Sequence, residues 1–131
     1  MSGPVSRDEA SAAFFDAAAS GQLLIRRCAA CGHWQAPYTR GGVALDRCAQ
    51  CTSERLEWAP ASGDATLVTW TVVHSREGAA PPVGVVELAE GPWLTAPLDA
   101  DPGGLAAGMA LVVGFSRPGG GEPVPVFRPR P

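Results

Sequence analysis

Lysine is absent: all ten basic residues of this 131-residue chain are arginines. Without lysine there is neither Schiff-base chemistry nor a Walker-type phosphate loop. Positive charge is also scarce. The net charge is −3 and the sequence pI about 5.3, a balance that argues against a nucleic-acid binder working through its bulk field. No apolar run reaches the roughly 18 residues a membrane helix needs. Asp8 and Glu9 stand where a secretion signal would be basic and then apolar. The chain is therefore expected to be cytoplasmic, with its four cysteines reduced unless a metal holds them. The G-x-S-x-G, H-E-x-x-H and helix-opening G-x-G-x-x-G signatures are missing too.

What is present suits a small β-rich fold. Hydrophobic residues make up 46% of the chain, and charged residues 18% against the usual ~25%. Gly 16 and Pro 13 together exceed a fifth of the residues, punctuation that favours short strands and turns. Ser6 and Glu9 have capping-box spacing. Ala10, Ala13, Phe14, Ala17 and Ala18 then form a stripe at helical spacing, and Gly21 is a suitable stop. This predicts one helix of about four turns ending near Ser20.

Strands are expected at Leu23–Arg27, Thr66–His74, Val83–Leu88, Trp93–Leu98 and Leu111–Phe115. Val124–Phe127 reads as a closing edge strand, where Pro125 is tolerated, and Gly119–Gly121 as a hairpin tip. Several short strands separated by turns point to a small antiparallel barrel or sandwich.

The strongest chemical signal is a pair of C-x-x-C motifs, Cys28/Cys31 and Cys48/Cys51, with sixteen residues between them. Two residues between thiolates let one tight turn aim both sulfurs at a single ion, and two such turns complete a tetrahedral shell. Gly32 follows the first pair where positive φ is useful. Four thiolates leave no open coordination position, so the expected role is structural zinc, with iron in a rubredoxin-like arrangement as the alternative. Disulfides do not suit a reducing compartment, and a thioredoxin-type site uses one C-x-x-C.

Catalytic groups are harder to find. His33 follows the first cysteine pair, and His74 ends the clearest strand, where it could reach a barrel mouth. Glu87 and Glu90 have spacing that permits a paired acid/base role without specifying one, and Asp99 and Asp101 lie in a Pro-Gly loop. No complete active site is visible.

The order of parts is similar to a known family. The helix, Cys28-x-x-Cys31-Gly32-x-Trp34-Gln35-x-Pro37, Cys48-x-x-Cys51 and the strand ending Thr71-Val72-Val73-His74 carry the resemblance, joined by Glu87, Glu90-Gly91-Pro92, Gly108-Met109 and Pro125-Val126-Phe127-Arg128-Pro129. Together they resemble the acyl-CoA-associated OB-fold proteins with an N-terminal rubredoxin-like zinc ribbon, over about residues 13–129. The loop 38–47 between the knuckles is longer than is usual in that family.

The resemblance implies a mostly β fold: an N-terminal helix (1–24), a four-cysteine rubredoxin-like zinc ribbon (25–59) and a five-stranded OB-fold antiparallel barrel (60–131). It also implies a structural zinc on Cys28, Cys31, Cys48 and Cys51, and no further cofactor. By the same resemblance the chain would be a non-catalytic subunit in a hetero-oligomer with a thiolase-fold enzyme, a thiolase or a lipid-transfer-protein-type aldolase. There it would help hold or channel an acyl-CoA, with steroid side-chain degradation as one setting and no nucleic acid or membrane involved. Some members instead accompany enoyl-CoA hydratases.

Phe14, Phe15, Trp34, Tyr38, Arg40 and His74 are candidate contacts to the partner or to acyl-CoA. Trp and Tyr are types enriched at interfaces, while Arg40 and Arg47 are guanidinium groups able to meet phosphates. The competing reading is a single-stranded nucleic-acid module, since OB barrels and zinc ribbons both serve that purpose.

Overall fold

A computed structural model describes residues 11–37, 47–72, 74–75, 78–79 and 81–131. Helix α1 spans Ala12–Ala19 and is followed by β1 (Leu24–Cys28) and β2 (Trp34–Gln35). Next come β3 (Leu56–Pro60), β4 (Asp64–Thr71), β5 (His74–Ser75) and β6 (Gly78–Ala79). The chain ends with β7 (Val83–Leu88), β8 (Trp93–Pro97), β9 (Ala110–Ser116) and β10 (Val124–Pro129).

The helix is shorter than the alanine-rich pattern suggests, eight residues beginning after Ser11. The expected capping pair Ser6 and Glu9 lies outside the described residues. Its end is as predicted: Gly21 takes φ +84°, and Gln22 N–H donates to Ala17 O at 2.9 Å. This left-handed stop satisfies the last carbonyls.

Three strands in the order β2-β1-β3 form the ribbon sheet, and five in the order β10-β9-β4-β7-β8 form the second sheet. All pairings within both sheets are antiparallel. The two edges of the larger sheet then meet. Leu98 bridges Phe127 in parallel, and Asp99 N–H donates to Phe127 O at 2.7 Å. A parallel seam closing an otherwise antiparallel five-strand sheet gives the OB-fold barrel.

Curvature has a local cause. The register of β4 against β7 shifts between Leu67 and Thr69, a bulge that bends the strand around the barrel.

Alternation along the strands decides what faces inward. Val86 and Leu88 of β7, Leu94 and Ala96 of β8, and Phe127 of β10 are buried, with half-buried or exposed residues between them. Gly84 is held glycine by space: a Cβ there would lie 2.8 Å from Leu98 Cδ1 and 3.1 Å from Leu67 Cδ1. Phe14, Phe15, Leu23 and Ile25 join the same buried cluster as the barrel residues. Helix, ribbon sheet and barrel thus share one core, and Ala61 N–H donating to Leu23 O at 2.9 Å ties the crossing strand to it.

Among the described residues no helix is long and apolar enough to cross a membrane.

Candidate metal centre

Each cysteine pair sits in a turn with the same hydrogen-bond pattern. In the first, Cys28 N–H donates to His33 O at 2.9 Å and Gly32 N–H to Cys28 O at 2.8 Å. In the second, Cys48 N–H donates to Ser53 O at 2.8 Å and Thr52 N–H to Cys48 O at 2.9 Å. The residue after each pair is left-handed, Gly32 at φ +80° and Thr52 at +63°. The two knuckles are therefore local copies, each contributing one buried cysteine (Cys28, Cys48) and one exposed cysteine (Cys31, Cys51).

The copies face each other. Cys28 Sγ lies 3.6 Å from Cys51 Sγ, and Cys31 Sγ 3.6 Å from Cys48 Sγ. All four sulfurs fall within 4.8 Å of one another. A tetrahedron with Zn–S bonds of about 2.3 Å has edges of about 3.8 Å, so the donor set fits one such ion. Gln50 N–H donates to Cys48 Sγ at 3.3 Å, the kind of contact that stabilises a bound thiolate.

The sulfurs differ in acidity. The Cys31 backbone N–H leads in pulling the Cys28 thiol down to about 6. At Cys31 the His33 backbone N–H also pulls downward, but burial and the neighbouring sulfurs outweigh it and push the thiol up to about 12. Cys51 is likewise raised, because burial and the Cys28 and Cys48 sulfurs overcome the Ser53 N–H and Cys31. One site with one ready thiolate and two reluctant ones is short of positive charge, which a divalent cation supplies.

A buried side chain that sequence reasoning did not weigh by itself positions the second knuckle. Gln35 is 5% exposed. Its Oε1 accepts the Ala49 N–H at 3.0 Å, and its Nε2 donates to Arg47 O at 3.2 Å. The amide thereby pins both flanks of Cys48 to β2. On either side of β1, Arg26 covers Trp58 at 4.4 Å and Arg27 covers Trp34 at 5.4 Å, stacking that stiffens the short ribbon sheet.

The other candidates are dispersed. Phe14 and Phe15 are 4% and 8% exposed, and Phe14 packs on Trp58 at 5.9 Å. Both rings are turned into the chain's own core. Trp34 and His33 are half-buried and line a cleft beside the first knuckle. Tyr38 and Arg40 lie outside the described residues.

His74 belongs to β5, paired with β6 and separate from β4, where the sequence placed it at the end of one continuous strand. Arg47 is engaged with Glu54 at 2.8 Å. Glu87 and Glu90 do not form an acid/base pair: Glu87 Oε2 accepts from Trp93 Nε1 at 3.3 Å, and Glu90 Oε2 accepts from the Ser62 backbone N–H at 2.9 Å. Asp101 accepts from Gly103 N–H at 3.0 Å and caps a short 3-10 turn.

Comparison with known proteins agrees with this layout. Residues 15–37 match the family described as the ChsH2 rubredoxin-like zinc ribbon domain, and residues 58–116 match the ChsH2 C-terminal OB-fold domain. The ribbon match stops after the first knuckle, and the geometry above supplies the second. No match is found among curated proteins.

Among solved structures, a chain of "Ltp2-ChsH2(DUF35) aldolase" is 28% identical with a TM-score of 0.78, covering 95% of this chain and 98% of its own. A DUF35-family protein of unknown function from Sulfolobus solfataricus is 16% identical with a TM-score of 0.62, over 93% of this chain and 86% of its own, a likeness of fold. Both ChsH2 domain models thus match this chain in order, the rubredoxin-like zinc ribbon before the OB fold, and the chain is similar to the ChsH2 family in sequence and structure.

Proposed function

We propose that the chain is a non-catalytic accessory subunit that binds a thiolase-fold enzyme, in the first place a retro-aldolase, and supports its handling of an acyl-CoA. The observation that carries this reading is the near full-length likeness to a chain of the Ltp2-ChsH2(DUF35) aldolase structure. The scattered, individually engaged carboxylates of the barrel support it from the other side, since Glu87, Glu90 and Asp101 each serve a backbone or indole N–H. Steroid side-chain degradation is the metabolic setting that the family resemblance suggests.

In this reading the ribbon (25–59) and barrel (60–131), preceded by the helical segment (1–24), form one docking unit. Cys28, Cys31, Cys48 and Cys51 hold a zinc ion that ties the two knuckles together and contributes folding free energy. The test is co-expression with a thiolase-fold subunit from the same organism, followed by size-exclusion chromatography and an acyl-CoA retro-aldol assay. The expected result is a stable hetero-oligomer more active than the partner alone. Separate elution with unchanged partner activity would overturn the proposal.

A further inference from the structure

A cleft of about 560 Å³ opens between the first knuckle and the turn joining β7 to β8. Its walls include His33, Trp34 and Gln35 from the ribbon and Glu90, Pro92 and Trp93 from the barrel. Trp93 is 58% exposed, the large hydrophobic side chain most open to water among the described residues. Its indole N–H donates to Glu87 Oε2 at 3.3 Å, which holds the ring at one edge.

The cleft is aromatic and acidic. Glu90 Oε1 is shielded from water and has no hydrogen-bond partner among the described residues, an arrangement that normally calls for a donor. Among the described residues no arginine lines the cleft, Arg27 lying behind it over Trp34, and none of the described ion pairs involves Glu90. An anionic ligand would meet the Glu90 carboxylate. A purely apolar one would cover Glu90 without satisfying it. A guanidinium group meets both demands, because its plane stacks on an indole while its edge donates to a carboxylate. The chain uses the same stacking twice within itself, at Arg26 over Trp58 and Arg27 over Trp34.

We propose that this cleft receives an arginine side chain presented by the partner enzyme, stacked on Trp93 and paired with Glu90. The identity of that partner rests on the accessory-subunit reading above; the chemistry of the cleft does not. Oε1 is shielded as it stands, so the pairing requires rotation about the terminal torsion of Glu90, a soft coordinate in this residue type.

The test uses the full-length purified chain and N-acetyl-L-arginine amide as probe, read by the indole N–H resonances of Trp34 and Trp93. The expected result is a saturable shift that N-acetyl-L-norleucine amide does not reproduce and that weakens at high salt. Glu90→Gln keeps an oxygen for Ser62 N–H but removes the charge, and should raise the half-saturating concentration at least fivefold. Trp93→Leu, read at Trp34, should do the same, with melting curves confirming that both variants are folded. No saturable shift, equal response to norleucine amide, unchanged binding by the two variants, or stronger binding of coenzyme A would each overturn the assignment.

A second arm addresses the partner. In the co-expressed hetero-oligomer, both substitutions should weaken association at least tenfold, and unchanged association would remove the cleft from the interface. Arginine-amide binding without any thiolase-fold complex would sink the accessory reading while leaving the cleft chemistry standing.

Discussion

Thr52 occupies in the second knuckle the backbone position that Gly32 occupies in the first, left-handed in both cases, at φ +63° and +80°. For a β-branched residue this conformation carries strain that glycine does not, on the order of 1–2 kcal/mol. The Thr52 hydroxyl, donating to Cys51 O at 2.6 Å, offsets part of it. Equivalent positions should therefore respond with opposite signs. Gly32→Ala is expected to destabilise by about 1 kcal/mol, because the added methyl meets Arg27 only at an ordinary 3.7 Å and the backbone sets the cost. Thr52→Gly is expected to be neutral or stabilising by up to about 1 kcal/mol after the greater freedom of unfolded glycine is counted. Thermal melts of both variants check the pair, and a marked loss of stability in Thr52→Gly would contradict the strain argument.

Gln35 predicts a coupling between β2 and the metal centre. Gln35→Leu keeps the volume but strands the Ala49 N–H and the Arg47 carbonyl, and is expected to cost about 2–3 kcal/mol. Release of the metal to a chelator should be faster as well, since Cys48 lies between the two stranded groups. A variant that melts lower but releases metal at the original rate would show that the amide supports only the sheet.

The buried helix face predicts a folding defect. Phe14→Ser removes a ring that packs on Phe15 at 5.2 Å and on Trp58, and is expected to destabilise by about 3 kcal/mol or more. Denaturant unfolding measures this. A stability equal to the parent chain, combined with weaker partner binding, would instead place the ring at an interface.

Acidity differences among the cysteines set the proton count of metal binding. The folded pKa of Cys28 is depressed to about 6, so its thiolate contribution is complete above the ordinary thiol range and is lost as pH falls through about 6. Cys31 and Cys51 are raised and must surrender protons when an ion binds at neutral pH. Proton release per zinc should therefore increase as pH drops below about 6, where Cys28 joins them. Calorimetry in buffers of different ionisation enthalpy reads this number, and a pH-independent release would contradict it.

Much of the barrel was legible because its strands alternate. Val83–Leu88 reads from the sequence at its observed bounds, and β8, β9 and β10 differ by one or two residues from expectation. The ribbon sheet was not legible to the same degree. A two-residue strand such as Trp34–Gln35 has no period, and Leu56–Pro60 is largely half-buried, so its apolar residues show no inward alternation. The cysteines announced themselves by spacing, whereas Gln35 acts through the backbone of residues twelve and fourteen positions away, which no local pattern records. Phe14 and Phe15 illustrate a different limit. Exposed and buried aromatic pairs look alike on a helix until the sheet they cover is known.

Metal content against fold is the most direct trial. Purified chain should contain one zinc per molecule by elemental analysis. Removal by a chelator, or the Cys48→Ser substitution, should lower the melting temperature of the whole chain, because ribbon and barrel share one core. Metal-free protein that keeps the melting profile of the untreated chain would contradict the account.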